Sequence, residues 1–361
     1  MSKICQAVML VFPFACLPAC LDGSDFAAQE QSLTQVTTIG RTHVKFVRHA
    51  VFKQFAPSVP PPDSARIPND TTSPYPARVL WQGDEYVDDG PPPAVAPTQN
   101  TEPQTMSRAA TSGGDYGAVQ SAVIIGTDQR FQISTTTFPG ASAIDISDSY
   151  GPFCTAAFIG PHTAVTAGHC FYDPPTNTWS ATSFYAAGAD IRNGPPPAGT
   201  YPFGQLFSGA IWIPGNFQQG GDAHDYALID FSGLGSPAPA WLGTAIVVFN
   251  SDWGVLGSRS GYDGDKQGAG PSQWTSNGSI YAGCYDSFGT PFDCEWITHD
   301  MDTTPGASGS GIYLTGSGYL ANHLVAIHSS GTNAFFNHYN LATHWRSEQY
   351  NFVHAYDTRW P

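Results

Sequence analysis

The sequence predicts an all-β fold. Charged residues make up only 12% of the 361 residues, whereas glycine and proline are abundant, with 38 and 30 copies. Short apolar runs such as CTAAFIG, YALIDF and SGIYLTG alternate with Gly, Pro, Asn and Asp between about residues 121 and 342. Short apolar runs bounded by turn formers are typical of strands. Roughly 220 residues of this pattern suit a double barrel or a sandwich.

The first twenty residues predict export. Residues 1–20 begin with Lys3 and continue with an apolar stretch that ends at small residues. This pattern is typical of a signal peptide, and the stretch is too short and too interrupted to span a bilayer. Its end, LPAC, resembles a bacterial lipoprotein processing site, which makes lipidation of Cys20 an alternative. We therefore expect a secreted, extracellular protein, with an outer-surface or periplasmic lipoprotein as the second option.

Residues 21–120 are predicted to be a largely disordered leader or prosegment. Proline clusters such as SVPPPDSARIP and DDGPPPAVAP offer little apolar surface to bury, so such a stretch does not pack as a domain. One segment, THVKFVRHAVFKQF, mixes basic and apolar residues. It fits either the contact part of an inhibitory prosegment or a marginal helix. The chain is thus divided into 1–20, 21–120 and a folded domain at 121–361.

The cysteines predict two disulfides. Three of the seven lie in the signal, which leaves four in the exported body: Cys154, Cys170, Cys284 and Cys294. An even number in an oxidising compartment favours disulfides. Three pairings are open, and the local ones, first with second and third with fourth, are preferred because they close short loops. Zinc binding is the disfavoured alternative, because no CxxC pair is present.

The end of the chain predicts a helix docked on the β body. In THWRSEQYNFVHAY, Thr343 is a candidate N-cap. Four side chains share one face at helical spacing: Trp345, Phe352, Val353 and Tyr356. These aromatic and apolar groups are typical of core packing.

The charge limits the partners. A formal net charge of −15 argues against binding of nucleic acid and of anionic membrane surfaces. Membrane contact is therefore expected only through a lipid on Cys20. No metal site or cofactor is predicted, although a structural calcium is left open, and we expect a monomer.

Ser308 is the candidate nucleophile. It lies in HDMDTTPGASGSGIY, where flanking glycines let a hydroxyl project while nearby amides turn toward one point. A serine needs a base and a group that orients the base. His169 follows an apolar strand and immediately precedes Cys170, and Asp225 stands at the start of another apolar strand. The order His, Asp, Ser is one of the known orders of this triad.

These blocks resemble a known family. TAAFIGPHTAVTAGHCFYD, DYALI and DTTPGASGSG are similar to the active-site blocks of trypsin-fold serine proteases. IIGTDQRFQISTTTFP and GYDGDKQG are similar to segments of the secreted bacterial glutamyl endopeptidases within that fold. The resemblance covers about 121–361. It implies two antiparallel β-barrels of the trypsin-like fold, with the active site between them and a C-terminal helix.

The resemblance also implies roles for single residues. Ser308 would attack the peptide carbonyl, His169 would act as base and then as acid, and Asp225 would hold the histidine tautomer. The amides of Gly306 and Ser308 would form the oxyanion hole.

Specificity follows from the same resemblance. His328, in the strand after the nucleophile, and Thr303, five positions before it, would line the pocket for the side chain that precedes the cleaved bond. A histidine there can donate a hydrogen bond to a carboxylate. A mature amino terminus near residue 121 would add positive charge.

The sequence thus predicts a secreted or surface-anchored serine endopeptidase that cuts protein or peptide substrates through an acyl-enzyme, after Glu or Asp. One alternative is a protease of the same fold that prefers small or apolar side chains. The other is a protease-like protein that only binds.

Overall fold

A computed structural model describes residues 36–39, 42–53, 77–88, 124–182, 184–197, 199–219, 224–231, 237–249, 254–285, 291–316, 318–331 and 339–356. The predicted signal, with Cys20, lies outside the described residues. No described helix combines the length and the hydropathy needed to cross a membrane.

The strands of the first half, in chain order, are β1 (Val36–Ile39), β2 (Thr42–His49), β3 (Phe52–Lys53), β4 (Arg78–Trp81), β5 (Asp84–Asp88), β6 (Ala143–Asp148), β7 (Gly151–Phe158), β8 (Thr163–Thr166), β9 (Tyr172–Asp173), β10 (Thr178–Ser180), β11 (Phe184–Ala187), β12 (Ala210–Ile213) and β13 (Ala227–Asp230). The second half has β14 (Gly243–Thr244), β15 (Val255–Gly261), β16 (Trp274–Tyr285), β17 (Pro291–His299), β18 (Gly311–Leu314), β19 (His323–Ser330), β20 (Asn340–His344) and the helix α1 (Ser347–Tyr356).

The first half forms one large sheet. Among the described residues its strand order is β1-β2-β5-β4-β12-β13-β8-β7-β6-β11. The central strands β8 and β12 are buried along their whole length, which is why TAVT and AIWI contain no charged residue. Apolar side chains from β6, β7, β8, β12 and β13 pack into one core with the aromatic residues Phe171, Trp179 and Phe231. This half therefore has an all-β core of its own.

The second half closes into a barrel. Its described strands have the order β14-β19-β18-β15-β16-β17-β20, and β19 also pairs with β20. The pairing of β19 with β20 closes a ring of six strands, β15 to β20, and β14 lies outside this ring. The all-β fold expected from the sequence is confirmed. The described strands of the second half close a six-stranded barrel, and those of the first half form a ten-stranded sheet.

The C-terminal helix lies where the two halves meet. One core cluster contains Val353 and Tyr356 of the helix, Trp345 from the two residues before it, and side chains of β8, β12 and β19. The docked helix is thus present, but the predicted cap is wrong. Thr343 lies in β20, pairs with Trp296 of β17 and donates its hydroxyl to the carbonyl oxygen of Asp225, because strand pairing continues to residue 344.

The leader differs from the sequence-based expectation. Parts of residues 21–120 form the strands β1 to β5, and β4 pairs with β12 of the body. The segment predicted as a prosegment contact or a marginal helix, residues 42–55, supplies β2 and β3. Val79 of RVLW is buried, and so are Glu85, Tyr86 and Asp88 of DEYVD, so the β4–β5 hairpin buries side chains on both faces. The proline clusters lie outside these strands and dominate the average composition of the leader, which is why the sequence predicts disorder there.

Both locally closed disulfides form. Cys154 of β7 is bonded to Cys170, and Cys284 of β16 is bonded to Cys294 of β17. The first joins β7 to the short helical turn that follows β8, and the second crosses the β16–β17 hairpin.

Candidate functional site

Ser308 lies in a tight turn directly before β18. Gly306 and Gly309 beside it have φ angles of +100° and +86°, a region that favours glycine. A Cβ on Gly309 would lie 2.0 Å from the carbonyl oxygen of Thr155, so no larger residue fits. The amide of Thr155 donates to the carbonyl oxygen of Ser308 at 2.8 Å. The turn of the second barrel is therefore fastened to β7 of the first half.

His169 and Asp225 meet at the ends of two paired strands. His169 lies in a short helical turn, Gly168–Cys170, that follows β8, and Asp225 lies two residues before β13. β8 and β13 are antiparallel neighbours, so these ends coincide. The His169 amide donates to Asp225 Oδ1 at 2.8 Å, and Nδ1 lies 2.6 Å from Oδ2. This leaves the other ring nitrogen, Nε2, as the outer one.

Ser329, which the sequence analysis missed, joins the pair to the nucleophile. Its hydroxyl donates to Asp225 Oδ2, and its carbonyl oxygen accepts from Ser308 Oγ at 3.4 Å. Burial alone would raise the pKa of Asp225, but the His169 imidazole and the hydrogen bonds outweigh it, and the pKa is lowered. Asp225 is thus kept as a carboxylate that accepts from His169. A hydroxyl directly after a pocket histidine was the only available signal for Ser329.

The disulfide brings His169 close to the nucleophile turn. Cys170, the next residue, has its sulfur 3.8 Å from the carbonyl oxygen of Ser308. Cys154, His169 and Cys170 also form the one group of His, Cys, Asp and Glu within metal-ligating distance among the described residues. Its two sulfurs are bonded to each other at 2.02 Å, so neither is the thiolate that a metal requires.

The amides proposed for the oxyanion hole are available. The amide of Ala307 donates to the carbonyl oxygen of Thr304 at 3.0 Å, and the amide of Gly309 donates to the carbonyl oxygen of His328 at 2.7 Å. The amides of Gly306 and Ser308 have no hydrogen-bond partner among the described residues. The occupied amides of Ala307 and Gly309 therefore alternate along the turn with the unoccupied amides of Gly306 and Ser308.

His328 and Thr303 are buried with unused polar atoms. Both side chains are fully buried. His328 Nε2 and Thr303 Oγ1 have no hydrogen-bond partner among the described residues. A buried polar atom without a partner is costly. Fourteen such atoms occur among the described residues, and these two belong to the residues that the resemblance assigns to the substrate pocket.

His299 is a second histidine that the sequence analysis did not assign. It ends β17, and its Nε2 lies 3.2 Å from Nδ1 of His328. The two strands flank β20, where their positions pair with Asn340 and Ala342. Burial, followed by the charge of Arg259, lowers the pKa of His299 to about 3. Burial, His299, Arg259 and His169 lower the pKa of His328 well below its ordinary value.

A buried ion network supports the nucleophile turn. Arg259 is fully buried, donates to both oxygens of Asp263 at 2.8 Å and donates through Nε to the carbonyl oxygen of Asp302 at 3.0 Å. Asp263 accepts from the amide of Thr304 at 3.0 Å. Arg130 donates to Asp265 at 2.8 Å and 2.6 Å. The block GYDGDKQG therefore fixes the approach to Ser308.

Asp302 anchors the start of the folded domain. Its carboxylate accepts from the amides of Ile125 and Gln129, each at 2.7 Å. Because Asp302 precedes Thr303, the segment that begins at residue 124 lies beside the candidate pocket.

Three comparisons place this arrangement among known proteins. The chain is 31% identical over 191 residues to a glutamyl endopeptidase of Bacillus licheniformis, which covers 53% of this chain and 54% of that protein. It is 29% identical over 245 residues to a Bacillus subtilis protein named extracellular metalloprotease, over 65% of this chain and 70% of the relative. The chain thus spans about half of the length of the first relative. No protein-family profile matches the chain.

A solved structure decides the fold. The structure of a Glu endopeptidase in complex with MPD superposes with a TM-score of 0.50 and 23% identity, over 65% of this chain and 99% of the other. The chain has the trypsin-like serine protease fold. In this fold, His169 and Asp225 come from the first half and Ser308 comes from the second.

Proposed function

We propose that the protein is a serine endopeptidase that hydrolyses peptide bonds through an acyl-enzyme. One observation carries the proposal: loops from the two halves bring the His169–Asp225 pair and Ser308 together, and Ser329 bonds to both. Similarity to a glutamyl endopeptidase over 191 residues supports it.

The reaction follows from the roles of these side chains. Ser308 Oγ attacks the peptide carbonyl while Nε2 of His169 takes its proton, and Asp225 holds the opposite nitrogen and stabilises the imidazolium. The amides of Gly306 and Ser308 stabilise the oxyanion, a contribution of about 3 kcal/mol for one donor in related chemistry. His169 then protonates the leaving amine, and water repeats the attack on the acyl-enzyme to release the acid.

The substrate side chain is assigned as glutamate. When Nε2–H of His299 donates to Nδ1 of His328, His328 carries its own proton on Nε2. In that tautomer Nε2–H of His328 is the group that donates to a substrate carboxylate, and the hydroxyl of Thr303 is the second donor. A site built to hydrogen-bond a polar group strongly rejects analogues that lack that group.

The two histidines of this pocket carry no charge. Both are neutral at pH 7 because their pKa values are lowered. Arg259 contributes to lowering both pKa values, and its own charge is paired with Asp263. A cut near residue 121 would create an amino group a few residues before Ile125, whose amide donates to Asp302.

A peptide library tests the proposal. We expect the exported protein to cut after Glu, more weakly after Asp, and Ser308→Ala to abolish every cut. A serine-directed inhibitor should stop the reaction and a zinc chelator should not, because the cysteines beside His169 are bonded to each other. Cuts without enrichment of acidic residues would retire the pocket assignment. Absence of any cut by the processed protein would favour the binding-only alternative.

A further inference from the structure

The β4–β5 hairpin of the leader joins the first sheet beside β12, and β2 and β1 extend the sheet beyond the hairpin. β4 is antiparallel to β12, with Leu80 opposite Ile211 and Val79 opposite Trp212. β12 pairs with β13 on its other side, so β4 supplies its second neighbour. An open strand edge in a barrel invites pairing with other chains. The hairpin therefore completes the sheet.

The hairpin also supplies part of the core. Val79 is fully buried and Tyr86 is 8% exposed, and both belong to the cluster that contains Trp212 and Val353. The hydroxyl of Tyr356 donates to a carboxylate oxygen of Asp88 at 2.9 Å. The helix α1 is thus packed between the hairpin and the body.

A buried carboxylate ties the leader to a loop of the body. Glu85 is fully buried and accepts from Arg48 at 2.7 Å and from Arg78. The same two arginines donate to Asn177, Arg48 to its carbonyl oxygen at 2.6 Å and Arg78 to Oδ1 at 3.3 Å. A buried carboxylate and its arginines depend on each other for charge compensation. Glu85 and both arginines belong to the leader, so the hydrogen bonds to Asn177 are the part of this network that crosses to the body.

The contacted loop is the one that follows His169. β3 of the leader is parallel to β10, and the amide of Trp179 donates to the carbonyl oxygen of Val51 at 2.8 Å. The guanidinium of Arg78 lies 5.6 Å from the ring centroid of Tyr172, three residues after His169. The leader therefore supports the outer side of the loop that positions the candidate base.

We propose that the described segments 42–53 and 77–88 are a permanent structural part of the trypsin-like domain rather than a removable leader. Sheet pairing, a shared core and hydrogen bonds from Arg48 and Arg78 to Asn177 join these segments to the body. Cleavage anywhere in 89–123 then yields a protein of two chains that stay together without a covalent link. The proposal concerns association, so it holds or fails independently of peptidase activity.

A cut introduced at one place tests the proposal. The full chain is made with a recognition sequence for a site-specific protease inserted near residue 100, in a Ser308→Ala background that prevents self-cleavage. After complete cutting, we expect one peak in gel filtration at micromolar concentration, with both fragments present by mass spectrometry. The fragments should separate only in denaturant. Separation in native buffer, with the larger fragment still folded, would overturn the proposal.

A matched pair of hairpin variants locates the contact. Val79→Asp places a charge in the shared core, and Gln82→Asn changes the exposed turn of the same hairpin. We expect the cut Val79→Asp protein to lose its smaller fragment at least 100-fold faster, and the Gln82→Asn protein to match the parent. Failure of the uncut Val79→Asp chain to fold also supports a structural role. A folded Val79→Asp protein with an unchanged melting temperature contradicts it.

Discussion

Replacing Thr303 by valine should trade substrate recognition for stability. Its hydroxyl is fully buried and has no partner among the described residues. If it donates to the substrate carboxylate, its loss removes a hydrogen bond to a charged group, about 1.5–3 kcal/mol. That corresponds to a fall in kcat/KM of about 10- to 150-fold. The free protein loses an unsatisfied buried hydroxyl, so its free energy of unfolding should rise by about 1 kcal/mol or more.

Matched peptides that differ only in Glu or Ala before the cleaved bond provide the kinetic assay, and urea unfolding provides the stability. Thr298→Val is the control, because this buried hydroxyl already donates to the carbonyl oxygen of Ala282 at 3.3 Å. The control should lose about 1 kcal/mol of stability and keep its preference for Glu. An unchanged Glu-to-Ala ratio in Thr303→Val, or a drop in its stability, would refute the reasoning.

Three further outcomes follow from buried charges. Because the pKa of His299 is about 3, the unfolded chain binds a proton at this residue that the native state excludes. His299 should therefore lower the free energy of unfolding by about 1.4 kcal/mol per pH unit as the pH drops from 6.5. His299→Phe should remove this contribution in urea titrations at several pH values, and an unchanged slope argues against a neutral buried histidine. Burial raises the pKa of Asp145 to about 7, with a partial offset from the hydrogen bond of Ser147. The native state therefore holds a proton that the unfolded chain releases, and the free energy of unfolding should fall as the pH rises from 3.8 to 7. Asp145→Asn should remove that loss, and equal unfolding curves of the two proteins at pH 7 would contradict it. Asp263→Asn leaves the buried Arg259 charge poorly compensated, so unfolding should become easier by about 3–5 kcal/mol and kcat should fall; native stability and kcat would show that the network does not hold the turn.

The sequence predicted those parts of the site that short local blocks encode. His169 follows a strand and precedes a disulfide cysteine, Asp225 opens a strand, and glycines surround Ser308. Each of these features is visible within about ten residues, because it depends on one strand end or one turn. Their order along the chain then indicated the chemistry.

The rest depends on contacts between distant segments. His299 is a neighbour of His328 only because β17 and β19 both pair with β20. Arg259 and Asp263 act on a segment that lies far along the chain. Arg259 donates to the carbonyl oxygen of Asp302, 43 residues away, and Asp263 accepts from the amide of Thr304, 41 residues away. No spacing rule reports such contacts.

The leader shows the same limit in another way. Its average composition predicts disorder, yet RVLW and DEYVD form the two strands of a hairpin. Short segments of this kind become strands only when a sheet offers a free edge, here that of β12. A strand of four residues carries too little signal by itself to overcome the prolines around it.

Covalent labelling of the processed protein tests the central claim most directly. A serine-directed organophosphorus reagent should add one group, found on Ser308 by peptide mass spectrometry, in proportion to the loss of peptide cleavage. His169→Ala should slow labelling strongly, because Ser308 then lacks its base, and Ser308→Ala should not be labelled. Full cleavage activity in protein that carries no label, or labelling at another serine that accounts for the lost activity, would contradict the account.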